Sequence, residues 1–123
     1  MKKALYLIVT LFLSTVSIHA KAQAKITAAE ASKHVGDSVI VCDKAYGGIY
    51  LDKSKDGFTF INIGAKYPDQ KLTLVIKGDV RKTFSFMPEK VLSDKNICVK
   101  GKITEYKGKP QIMIDSEDQI EIR

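Results

Sequence analysis

Five runs of β-branched and aromatic residues, at 38–43, 58–64, 72–76, 96–106 and 110–114, follow one another with no long helical pattern between them. A parallel α/β sheet needs a helix between successive strands, and a sandwich needs about seven strands. Neither requirement is met. Ahead of the first run, Thr27 and Glu30 form a capping box, Ile26 and Ala31 are spaced as a staple, and Gly36 is a stop, which predicts a short helix over 28–34. A short helix, five strands and one long connection between the third and fourth describe an all-β domain with short helices. The arrangement is a five-stranded Greek-key barrel of the OB-fold type.

Turn chemistry separates the strands. Tyr46-Gly47-Gly48 reads as a bend that ends the first strand, Asp56-Gly57 introduces the second, and Pro68 within Tyr67-Pro68-Asp69-Gln70 turns the chain before the third. Between Lys77 and Asp94 regularity weakens, and Pro88 is placed to open a single helical turn. Gly101 permits a bulge or a sharp bend in the long fourth strand. Lys107-Gly108-Lys109 reverses the chain into the fifth, and Ile120-Glu121-Ile122 adds a short period-two segment.

The chain is 123 residues long, enough for one small domain. Its first segment reads as an address. Lys2 and Lys3 precede an uncharged apolar run, and Ala20-Lys21-Ala22 and Ala22-Gln23-Ala24 offer small residues at the positions a signal peptidase reads. The run is shorter than the roughly 20 residues of a membrane span. The expectation is a signal peptide over 1–22, cut after Ala22 or Ala24, and an exported, periplasmic or secreted domain over 23–123 with no span after cleavage. Losing Lys2, Lys3 and Lys21 and no acid lowers the net charge from +6 to +3. Such a surplus is ordinary for a soluble domain, so charge alone selects no partner.

The stretches 58–64, 67–70 and 98–103, followed by Tyr106-Lys107-Gly108-Lys109-Pro110-Gln111-Ile112, resemble small exported bacterial OB-fold proteins described as nucleic-acid-binding. The 106–112 stretch is similar to the last hairpin of OB domains of the tRNA-anticodon type. The resemblance spans nearly the whole mature chain and implies the barrel strongly. It implies single-stranded oligonucleotide as the ligand class.

Catalytic chemistry finds little to work with. With His19 in the signal segment, His34 stands alone, and two distant cysteines and one histidine do not make a zinc spacing. A nuclease would need clustered acids and arginines; Asp43, Asp52, Asp56 and Asp115 sit beside turns, and the only arginines are Arg81 and Arg123. No catalytic residue, metal or cofactor is expected. Cys42 and Cys98 lie in the first and fourth strands, neighbours in such a barrel. They either form a disulfide, as an oxidising compartment allows, or pack as two buried thiols. A redox role is not expected without a Cys-x-x-Cys pair.

Alternation places Phe58, Phe60 and Asn62 on one face of the second strand and Thr59, Ile61 and Ile63 on the other. Strand aromatics more often fill a core, and in that case no stacking platform exists. If the isoleucines fill the barrel, the phenylalanines stand outside as stacking surfaces. The loops supply Tyr46, Tyr50, Lys66, Tyr67, Arg81, Lys82, Tyr106, Lys107 and Lys109, rings beside cations, as single-stranded nucleic acid or another polyanion requires. Solubility and loop packing explain the same residues without a ligand. The sequence therefore leads to an exported, non-catalytic module for single-stranded oligonucleotide. The alternative is an envelope structural or interaction protein that binds a protein partner or an acidic polysaccharide.

Overall fold

A computed structural model describes residues 23–123, so the expected signal segment lies outside the described residues. Seven strands are present: β1 (Lys25–Ile26), β2 (Ser38–Tyr50), β3 (Thr59–Ile63), β4 (Leu72–Ile76), β5 (Asn96–Tyr106), β6 (Lys109–Ile114) and β7 (Ile120–Ile122). Two short helices, α1 (Gly78–Arg81) and α2 (Pro88–Val91), lie in the long connection between β4 and β5. β2 pairs with β3, β3 with β4, β4 with β6, β6 with β5, and β5 returns to β2, which closes a five-stranded barrel. All these pairings are antiparallel except β4 with β6. This is an OB-like, all-β fold, as the strand spacing predicts. No helix among the described residues is long and apolar enough to cross a membrane.

Period-two alternation fills the interior. Ile61, Ile63, Leu72, Leu74, Ile76, Ile112 and Ile114 are buried on the inner faces of β3, β4 and β6. Thr59 is also fully buried among them. Of the two faces left open for the second strand, the isoleucine face fills the barrel, and Phe58 and Phe60 are half-buried on the outer face, with ring centroids 5.9 Å apart. The connection between β4 and β5 packs against the core through Leu92, Phe84 and Phe86.

Two long strands make the closure. β2 pairs with β5 from Ser38 to Lys44 and with β3 from Ala45 to Tyr50, with a register shift between Ala45 and Gly48. The sequence pattern predicts a first strand that ends near Asp43 and a bend at Tyr46-Gly47-Gly48. Instead the glycines carry β2 through a bulge: Gly47 takes φ +96°, and a side chain at Gly48 would run into the Phe60 carbonyl. β5 hands over from β2 to β6 at Gly101, where an added Cβ would meet the Ile112 side chain.

The N-terminal helix is a 3-10 helix, Ala28–Lys33, with the capping box formed as expected and Gly36 at φ +93° beyond it. Its Ala28 amide donates to Asp43 Oδ2 at 3.0 Å, tying the helix start to β2. The single helical turn expected at Pro88 is α2, with Pro88 in its first turn; α1 is a second one without a proline signal. β1 and β7 extend the sheet edges beside β2 and β5, β1 in parallel and β7 in antiparallel register.

Cys42 and Cys98 are directly opposite in the β2–β5 register and form a disulfide. Both belong to the outer set of the alternation, flanked inward by Val41 and Val99, which are buried. Cross-linking residues 56 apart in sequence removes loop-closure entropy from the unfolded chain, worth roughly 2–4 kcal/mol.

Candidate functional site

The outer face of the barrel carries a groove of about 730 Å³ that crosses β3, β4 and β6 and ends at the β5–β6 hairpin. The register builds it in rows. Ile49, Phe60, Val75 and Met113 are consecutive cross-strand partners along β2, β3, β4 and β6, and one step away Asn62, Thr73, Gln111 and Thr104 form a second, uncharged row. Of these, Ile49 and Phe60 line the groove with apolar surface, and Asn62, Thr73 and Gln111 line it with hydrogen-bonding edges.

Two tyrosines stand on this face. Tyr67, from the turn between β3 and β4, is 74% exposed, and Tyr106, the last residue of β5, is 61% exposed. The hairpin beyond Tyr106 turns through Lys107 at φ +49° and Gly108 at φ +76°, and Tyr106 pairs with Lys109 across it. Two positive φ values in a two-residue loop match the twist of the flanking strands. The turn brings Lys107 Nζ within 5.4 Å of the Tyr106 ring centroid, and both Lys107 and Lys109 line the groove.

Three carboxamides, Asn62, Gln70 and Gln111, also line the groove, and no carboxylate does. The Gln70 carbonyl oxygen is buried without a partner, while its amino group donates to Thr73 Oγ1 over 3.4 Å. Gln111 Nε2 reaches only the Met113 sulfur, at 3.8 Å, a weak acceptor.

Of the candidates from the sequence, Phe60, Asn62, Tyr67, Tyr106, Lys107 and Lys109 come together here. The others do not. Phe58 and Lys82 line a separate cleft between the 51–58 loop and α1, where Asp52, Asp56 and Asp79 also sit. Tyr46 lies beneath Lys44, whose Nζ is 4.9 Å from its ring centroid, and Lys66 is exposed beside Tyr67 without lining the groove. Arg81 does not line the groove: its Nη2 donates to Glu89 at 2.7 Å and the guanidinium stacks 3.6 Å over the Tyr50 ring.

The sequence reading missed Ile49, Gln70, Thr73 and Gln111. Alternation within β4 and β6 carries the signal that Thr73 and Gln111 point outward, but only the register places them beside Asn62. Among the described residues no group of three His, Cys, Asp or Glu side chains is placed to share a metal ion. Of the acids weighed for that role, Asp43 is occupied by the Ala28 and Lys44 amides, and Asp115 is exposed at the end of β6.

No family model matches this chain, and no curated protein does. Among solved structures it is similar to a chain described as a "putative aspartyl-tRNA synthetase from Leishmania major Friedlin", with a TM-score of 0.56 and 14% identity. The match covers 88% of this chain and 22% of that one, so this chain spans about a fifth of the neighbour's length. At that identity the likeness is one of fold. Barrel topology and neighbour together define the class as an OB-like barrel domain, and the groove on its β3–β4–β6 face is its candidate site.

Proposed function

We propose that this protein is an exported, non-catalytic binding module that takes single-stranded nucleic acid in the groove. The observation that carries the reading is the pairing of rings with cations at one site: the exposed Tyr67 and Tyr106 and the half-buried Phe60 beside Lys107 and Lys109. Rings stack on unpaired bases of any sequence, and the two lysines meet phosphates. The structural neighbour's description names an enzyme of tRNA, which agrees with this ligand class. The Cys42–Cys98 disulfide agrees with an oxidising, exported location.

Fluorescence anisotropy of a labelled single-stranded oligonucleotide, titrated with residues 23–123, tests the reading. Saturable binding is expected, weakening about sevenfold between roughly 50 and 200 mM salt, the change that two phosphate contacts to a single strand produce. Absence of binding at the lower salt overturns it and moves attention to an envelope protein partner or an acidic polysaccharide.

A further inference from the structure

We infer that a bound strand crosses the barrel from the β5–β6 hairpin to the bulge of β2, where Lys44, laid over Tyr46, holds a third phosphate and so favours strands longer than the groove itself. The inference rests on the nucleic-acid reading above and deepens it. The groove lysines stand at one end only, since Lys107 and Lys109 both belong to the β5–β6 turn. The opposite end, at β2, is lined by Gly48 and Ile49 and holds no cation.

The register shows what lies just beyond that end. Ala45 is opposite Ile63 and Gly48 is opposite Ile61, so Tyr46 and Gly47 together oppose the single residue Asn62. A bulge of this kind re-aims the side chains it carries. Val41 and Ala45 are buried, which puts Lys44 and Tyr46 on the outer side of β2, and the uncharged row of Gln111, Thr73 and Asn62 leads across the sheet to them. Lys44 leans along the strand toward the bulge, with its Nζ 4.9 Å from the Tyr46 ring centroid. The ring steadies the ammonium without neutralising it. No ion pair among the described residues involves Lys44, and the carboxylate of Asp43 is taken up by the Ala28 and Lys44 amides. From β2 through β3 and β4 to β6 is three strand spacings, about 14 Å. At about 3.4 Å per nucleotide of a stacked strand, that distance takes roughly four nucleotides.

The test compares an unphosphorylated thymidine trinucleotide with a thymidine octanucleotide on residues 23–123, at about 50 and about 200 mM salt. The trinucleotide carries only two phosphates, so its affinity is expected to fall about sevenfold over that range. The octanucleotide gains the third contact and is expected to fall about eighteenfold. Lys44→Gln is expected to return the octanucleotide to about sevenfold and to leave the trinucleotide unchanged, while Lys44→Arg keeps the octanucleotide at about eighteenfold. Lys82→Gln, in the separate cleft beside α1, is expected to alter neither strand. Melting curves confirm that each variant is folded. A wild-type octanucleotide no more salt-sensitive than the trinucleotide, one that Lys44→Gln does not change, or an equal loss on Lys82→Gln overturns this inference and leaves the nucleic-acid reading standing. Failure of both strands to bind overturns both. Where the trinucleotide alone is too weak to measure, the octanucleotide on the wild type, Lys44→Gln and Lys82→Gln decides the matter.

Discussion

Cys42 and Cys98 face each other across β2 and β5, one residue outward from the buried pair Val41 and Val99, so the bridge clamps the seam where the barrel closes. Replacing both cysteines by alanine is expected to lower unfolding free energy by roughly 2–4 kcal/mol, with the barrel still formed because the valines keep their packing. Denaturant unfolding of the oxidised protein and the double variant, with circular dichroism as the readout, checks it. A loss below about 0.5 kcal/mol would mean the bridge adds little to what the valines already provide.

Arg81 and Glu89 fasten the α1–α2 connection through a bond of 2.7 Å, and their side chains are only 18% and 11% exposed. Arg81→Ala leaves the largely buried Glu89 carboxylate without its cation and Tyr50 without its stacked guanidinium. A destabilisation of about 1–3 kcal/mol is expected, with oligonucleotide affinity unchanged in conditions where the variant is folded. A strong loss of affinity in the folded variant would return Arg81 to the binding surface.

Glu30 caps the first turn of the 3-10 helix, accepting from the Thr27 amide at 3.2 Å and the Thr27 hydroxyl at 3.0 Å. The backbone hydrogen bond, then the hydroxyl, hold its carboxyl below the ordinary value of 4.5, with His34 and Lys33 adding a smaller pull. Because the folded value is depressed, the cap's contribution is present above the unfolded pKa and fades as pH falls through the folded one. Titration of the Thr27 amide resonance below about pH 4.5 is expected to show this loss in the wild type, and Glu30→Gln to abolish the titration.

Barrel topology was legible because strands β3 to β6 alternate or run apolar between clear turn signals, and 72–76 and 96–106 match β4 and β5 residue for residue. β2 was cut short because Gly47 and Gly48 look like a turn from sequence alone; only the partner change from β5 to β3 shows that they carry a bulge. The two-residue β1 has no sequence signal at all. At the site, Tyr67, Tyr106, Lys107 and Lys109 were readable as turn-adjacent residues. Gln70 and Gln111 were not: Gln111 joins the row of Asn62 and Thr73 only through strand register, and Gln70 lies in the turn before β4, and no local pattern encodes either placement. The contacts of Arg81 with Glu89 and Tyr50 were likewise not readable, because neither partner adjoins it in sequence.

The exposed tyrosines give a direct energetic prediction. Tyr67→Ala and Tyr106→Ala are each expected to weaken oligonucleotide binding by about 1–3 kcal/mol, the value of one stacked base. Both rings are more than half exposed, so thermal unfolding should shift little. Unaltered affinity in the double variant would remove stacking from the account.

The most direct test is to map amide chemical shifts of the isotope-labelled protein during titration with a single-stranded oligonucleotide. The account predicts shifts concentrated at Phe60, Asn62, Thr73 and across the hairpin from Tyr106 to Gln111, with the disulfide-bearing face of β2 and β5 unmoved. Shifts confined to the cleft between the 51–58 loop and α1, or none at saturating ligand, would contradict it.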